Sequence, residues 1–395
     1  MLYDRVNSID TTKGLIIILI LLFNFFFINL LPLWPLLNEQ NSLFNIAGGL
    51  LYPSFIFIYC VTIPFSITKK LNEGSDRYEI SRSVFARGLI LITIGVLLVN
   101  TVRVEPTETG INRFLWSLFL IIAIFLVWNR YPEKENNFFT TTGLRLTGLA
   151  ALVVLIFKFR SGTYENNGSL IPGWWELPGL TGWAYLIAAF SYLLARNSLT
   201  GTGIIIILFL GLNVSGYYGF TDFLNPVKPY FGVLTDGYVP VIALSGLLTG
   251  VIIRKFTVSN SRRTALVMIL YGVANLAAGI LSGRLFFPGV FYGNPAWALT
   301  ATGASLVLFS AVFFLDDVLH AFKWPDFLRN TGINMVTAYL IPFFFLNLAG
   351  LTGLNILFFQ EYQNQLLSLL ASGVWATLVI LFLNLLLKLN IRLKF

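Results

Sequence analysis

YPSFIFIYCVTIPFSITKK, residues 52–70, decides the fold class of this chain. It closes a run from Asn45 to Ile67 without one charged residue, and the run stops at the pair Lys69 and Lys70. A stretch of roughly 20 apolar residues is what an α-helix needs to cross about 30 Å of hydrocarbon. Lysines at its end stay on the cytoplasmic side of a short loop. The pattern predicts a membrane helix running inward toward Lys69.

Moving outward, the same pattern recurs along the chain. Spans are expected at Gly14–Leu31, Asn45–Ile67, Val84–Val102, Phe114–Trp128, Leu144–Phe157, Leu180–Ala195, Gly203–Tyr217, Tyr238–Ile253, Ala265–Ser282, Ala296–Leu315, Asn334–Leu348 and Leu366–Leu387. The 395 residues are 56% hydrophobic and 11% charged, with mean hydropathy +0.78, outside the balance of a soluble globular domain. The reading is an all-α polytopic membrane helical bundle, one domain over 1–395, with about 12 (11 to 12) transmembrane helices. The first span follows the polar stretch DRVNSIDTTKG with no small-residue cleavage site after it, which reads as a retained helix.

Lys69, Lys70, Arg77, Arg82, Arg87, Arg254, Lys255, Arg262 and Arg263 all fall on one set of alternate helix ends. Both termini are therefore expected in the cytoplasm. This asymmetry accounts for the net charge of +8 and the pI near 9.5 without nucleic acid, because the basic residues are spread over alternate loops. A single cysteine, Cys60, rules out a disulfide within the chain, and a single histidine, His320, builds no metal cluster. No GxGxxG, P-loop, HExxH or GxSxG pattern is present, so no tightly bound cofactor is expected. No internal repeat is evident, which counts against transporter folds built from inverted halves.

The connections on the opposite side are longer and aromatic, as in RSGTYENNGSLIPGWWELPGLTG (160–182), SGYYGFTDFLNPVKPYFGVLTDG (215–237) and SGRLFFPGVFYGNPAW (282–297). Such side chains suit an interfacial belt or the roof of a ligand cavity. Asn24, Asn29, Asn213, Asn275 and Asn334 lie in or at the ends of spans, where amides either line a polar path or bond neighbouring helices. Asp10 and Lys13 stand one turn apart and suit an ion pair or a simple helix cap. Arg145 suits snorkelling at a helix end. Arg284, Asn294 and Trp297 share the third aromatic connection, where a cation can hold an anionic or carbonyl group. His320 follows Asp316 and Asp317 in a basic-side loop and reads as solvated.

RVNSIDTTKGL (5–15), LPLW (31–34) with a later FN, YPSFIFIYCVTIPFSITKKL (52–71), FLVWNRYP (125–132), PGLTGWAYLIAA (178–189), FYGNPAWALTATGASLVLFSAVFFLDD (291–317) and GINMVTAYLIP (332–342) form a recognisable series. In this order they resemble the transmembrane acyltransferases typified by heparan-α-glucosaminide N-acetyltransferase, and their bacterial relatives of the Bacteroidetes type. The resemblance implies transfer of an acetyl group from cytosolic acetyl-CoA, a co-substrate, to a cell-envelope saccharide, at the bacterial inner membrane. It also implies a histidine three residues after the LPxW tryptophan and an aspartate four residues before the proline of the second span. Those positions hold Leu37 and Gly49, and the arginine of the first helix is Lys13.

Leucine accepts no proton and carries no acyl group, so two readings stay open. One is an acyltransferase with Glu39 as the nearby carboxylate. Its substrate residues would be Asn24, Asn29, Trp34, Arg284, Asn294, Trp297 and Asn334, and Lys69, Lys70, Arg254, Arg262 and Arg263 would receive the CoA phosphates. The other is a non-catalytic transporter or scaffold of the cell envelope on the same fold. The partners expected are membrane lipid, the saccharide, acetyl-CoA and a second copy of the chain, with no nucleic acid.

Overall fold

The computed structural model describes residues 6–30, 43–131, 138–162, 168–172, 175–257, 260–286, 293–321, 324–355 and 365–394; side chains are described except at 24–30, 43–48, 138 and 365–366. Among these residues the structure is helical, with two isolated antiparallel bridges, Val104 with Ser161 and Asn129 with Leu393. The long helices are α1 (Asn7–Leu30), α2 (Leu43–Val61), α3 (Ile63–Asn72), α4 (Arg77–Val99), α5 (Arg113–Trp128), α6 (Phe138–Lys158), α7 (Glu176–Ala195) and α8 (Leu199–Tyr217). They continue with a short α9 (Lys228–Thr235), then α10 (Tyr238–Phe256), α11 (Ser261–Ser282), α12 (Pro295–Phe313), α13 (Asp326–Ile333), α14 (Met335–Thr352) and α15 (Gln365–Lys388).

Every expected span falls on a helix. Ten helices in the described residues are long and apolar enough to cross a membrane, and α5 is a shorter apolar one. The second span is broken in two at Thr62, because Pro64 has no N–H and its ring crowds the carbonyl four residues back. Thr62 bridges the break, its hydroxyl donating to the Tyr59 carbonyl at 2.7 Å.

The chain divides into two compact units. The first comprises Met1–Ile16, Glu39–Ile92 and Gly179–Gly332. At its heart is α10, buried almost continuously from Val239 to Ile253. Lipid tails are as apolar as leucine, so helices in a membrane associate through close packing and small residues let backbones approach. Gly246 and Gly250 do this on α10: a Cβ on either would strike the Phe57 or Val61 carbonyl oxygen. Gly303 of α12 is pressed in the same way against Leu276 of α11, and Gly88 of α4 against Leu186 of α7. Ser54 and Ser305 link α2 to α12 through a hydroxyl pair at 2.9 Å.

The second unit comprises Ile17–Asn38, Thr93–Pro178 and Ile333–Phe395. Trp116 of α5 is fully buried, donates Nε1–H to the Leu155 carbonyl at 3.3 Å and lies 5.8 Å from the Phe159 ring. Phe344 and Phe345 of α14 pack on Phe382 of α15. The C-terminal segment beyond α15 pairs with the end of α5, Arg130 N–H to the Arg392 carbonyl and Lys394 N–H to the Trp128 carbonyl.

Candidate functional site

A charged side chain inside a membrane span is expensive and marks function by default, so the charges withdrawn wholly or in part from the surface locate the candidate site. In the first unit Arg254 occupies the last turn of α10. Its Nη1 donates to the Thr68 hydroxyl at 2.6 Å, the Tyr192 hydroxyl at 2.6 Å and the Pro64 carbonyl at 3.3 Å. Thr68 and Tyr192 also lie within 2.7 Å of each other. Arg254 thus ties α10 to α3 and α7. The arginine has no carboxylate within 4 Å among the described residues.

A second cation, Arg87 of α4, lies in the same unit. Its Nε and Nη2 both donate to the Tyr59 hydroxyl, at 3.1 and 2.8 Å. The guanidinium stands 5.4 Å from the Tyr59 ring centroid and 5.0 Å from that of Tyr185, and the two rings meet edge to face at 6.0 Å. Aromatic faces attract cations through the ring quadrupole, an attraction that strengthens as water is removed. Here too no carboxylate is within reach among the described residues.

The other expected phosphate ligands fall at the same helix ends. Lys70 donates to the Ser83 hydroxyl at 2.8 Å, while Lys69 pairs on the surface with Glu73 at 3.9 Å. Arg262 and Arg263 are exposed in the first turn of α11, which Asn260 caps by accepting the Arg263 N–H. Of the five, Arg254 alone belongs to the half-buried hydroxyl cluster.

A third group closes the start of α1. The N-terminal N–H groups of a helix have no intrahelical acceptor, and a carboxylate there satisfies them and complements the dipole. Asp317 fills this role from across the sequence, accepting the Ser8 N–H at 3.2 Å. Its neighbour Asp316 is buried, accepts the Thr11 hydroxyl at 3.0 Å and lies 3.6 Å from Arg329. Both aspartates belong to a π-helical turn, Phe314–Val318, a geometry frequent at functional positions. His320 is exposed as expected, with Nδ1 2.8 Å from the Asp316 carbonyl and φ of 49°. Sequence reading treated this segment as a loop and missed its closure of α1; the signal was two consecutive acids at the end of an apolar span.

The expected substrate residues divide differently. Asn24 and Asn29 lie on α1 with side chains outside the described residues, and Trp34, Leu37 and Glu39 lie outside them altogether. Gly49 is buried within α2. Asn294 caps α12, its side-chain oxygen accepting the Trp297 N–H at 2.7 Å, which brings those two together. Arg284 is exposed and makes no hydrogen bond to either among the described residues. Asn334, in the second unit, stands at the break between α13 and α14. Asn213 donates to the Asp236 and Gly293 carbonyls, and Asn275 donates to the Tyr271 carbonyl one turn back. Aromatic residues of the long connections pack on one another, as Tyr217 and Tyr218 do on Phe286, and Phe231 packs on Trp183 of α7.

In the second unit, Tyr339 of the Gly-x-Asn-x-x-x-x-Tyr stretch donates to Glu176 at 2.9 Å. Glu176 and the buried Trp175 before it hold φ of 48° and 73°, a strained pair for residues other than glycine. A cleft of about 550 Å³ in this unit is lined by Arg103, Glu105, Asn112 and Arg113 among others.

No known family profile matches the chain. Over 144 residues, 33% of this chain, it is 24% identical to the heparan-alpha-glucosaminide N-acetyltransferase of Mus musculus. The matched stretch spans about a fifth of that relative, 21% of its length. The likeness is thus to an N-acetyltransferase and covers a third of this chain.

Proposed function

We propose that this protein is a membrane acyltransferase-like protein that takes acetyl-CoA from the cytosolic side and delivers the acetyl group to a saccharide of the cell envelope, in a bacterial inner membrane. The observation that carries this reading is Arg254, a cation held by two hydroxyls and a carbonyl with no carboxylate beside it among the described residues. Its planar fork suits a phosphate group of coenzyme A. Lys69, Lys70, Arg262 and Arg263 stand at the same helix ends and attract the rest of the nucleotide. The likeness to a mammalian N-acetyltransferase supports the reaction class.

In the transfer, a saccharide amine or hydroxyl attacks the thioester carbonyl. A C–N or C–O bond forms, the C–S bond breaks, and the acceptor's proton passes through a base to the departing thiol. Glu39 is the carboxylate of the loop where the resemblance expects a histidine, and it is the residue we assign to the proton. Arg284, Asn294 and Trp297, all of the first unit, are the residues proposed for the acceptor.

Leu37 and Gly49 favour a second reading, a non-catalytic transporter or scaffold on the same fold, since neither side chain can orient or accept a proton. One experiment separates them. Purified protein in detergent is incubated with acetyl-CoA and a glucosamine acceptor, with thermal stability and acceptor-dependent release of free thiol both recorded. Stabilisation with release is expected. Stabilisation without release selects the second reading, and neither effect rejects the acetyl-CoA reading.

A further inference from the structure

Arg87 and Arg254 present the same electrostatic problem at two levels of one set of helices. Each is tethered to phenol or alcohol oxygens, which offset part of the cost of removing a cation from water but supply no opposite charge. Both are half-buried: Arg87 spends its fork on Tyr59 and Tyr185, whereas Arg254 bonds through Nη1 and leaves Nε and Nη2 without a bond to any other described residue.

The two forks share a seam. Tyr185, beneath the Arg87 guanidinium, and Tyr192, bonded to Arg254, are two turns apart on one face of α7, about 10 Å along its axis. Across from them Tyr59 and Thr68 sit on α2 and α3, on either side of the break at Thr62. A single phosphate reaches one fork at charge-assisted hydrogen-bond distance; two phosphates joined through an anhydride oxygen span toward both.

We propose that the Arg87–Arg254 seam of the first unit is a binding site for an organic diphosphate. Two sources carry that chemistry to the basic end of these helices: coenzyme A from solution, and a polyprenyl diphosphate from the surrounding leaflet. The first source rests on the acyltransferase reading; the second stands without it.

The test is a thermal-shift titration of the full chain in detergent with inorganic phosphate, pyrophosphate, coenzyme A and farnesyl diphosphate. Pyrophosphate is expected to stabilise at concentrations about tenfold or more below phosphate, and Arg87→Gln and Arg254→Gln each to weaken it by about tenfold or more. Should Arg87→Gln fail to fold, Arg87→Lys keeps the charge and loses the fork, and the same loss is expected. Equal response to phosphate and pyrophosphate, or binding untouched by these substitutions, overturns the site. So does the absence of a shift from both organic diphosphates. A response to farnesyl diphosphate alone assigns the ligand to the membrane and removes acetyl-CoA as donor while the site stands; an arginine-dependent response to coenzyme A supports both.

Discussion

Replacing Gly250 with alanine tests whether close backbone contact organises the first unit. The added methyl would overlap the Val61 carbonyl oxygen and lie 3.0 and 3.1 Å from Cγ and Cδ of Pro64. A backbone carbonyl and a closed ring cannot rotate away, so α10 must move off the α2–α3 break. Overpacking of this kind costs about 1–3 kcal/mol. Alanine's better helix propensity returns about 1 kcal/mol, which leaves about 0–2 kcal/mol of destabilisation. The separation also stretches the bonds from Arg254, one turn further along α10, to Pro64 and Thr68. Losing one hydrogen bond to a charged group adds about 1.5–3 kcal/mol. At about 2–4 °C per kcal/mol in larger domains, the melting temperature should fall by several degrees. The assay is size-exclusion recovery after heating in detergent, with Gly203→Ala as control, because a Cβ at Gly203 of α8 meets nothing within 4 Å. The reasoning fails if Gly250→Ala is as stable as Gly203→Ala, which should be neutral or slightly stabilising.

Two further outcomes are expected. Thr11→Val keeps the shape of the side chain but removes the hydroxyl that donates to the buried Asp316 carboxylate, and should lower stability by about 1.5–3 kcal/mol; a double-mutant cycle with Asp316→Asn that shows no coupling would contradict the contact. If the basic loops face the cytoplasm, a green fluorescent protein fused after Phe395 should fluoresce and an alkaline phosphatase there should be inactive, and the reverse pair of signals would invert the topology.

The helices were legible because their signal is local: twenty or so apolar residues ended by Lys or Arg mark a span wherever they occur, and each expected span lies on a helix. The break at Thr62 was readable in principle from Pro64, as was the Gly-x-x-x-Gly of Gly246 and Gly250, a pattern that calls for close approach without saying to which helix. The amides were ambiguous for the same reason. Asn294 serves as a cap and Asn213 as a clasp for two loop carbonyls, roles set by neighbours far along the chain.

Composition thus suffices for a polytopic helical membrane protein, and charge periodicity sets an expectation for the side its basic loops face. Arg254 could be named from its place at a basic helix end, whereas Arg87 looked like one more cation of that end. Only the packed helices put Tyr59 and Tyr185 around Arg87, put Thr68 and Tyr192 around Arg254, and leave both without a carboxylate among the described residues. They likewise bring Asp317 to Ser8 across 309 residues of sequence. Burial of apolar surface in lipid depends on each segment's own residues, whereas the partner of a buried charge depends on which helices meet, and that is decided by the tertiary structure.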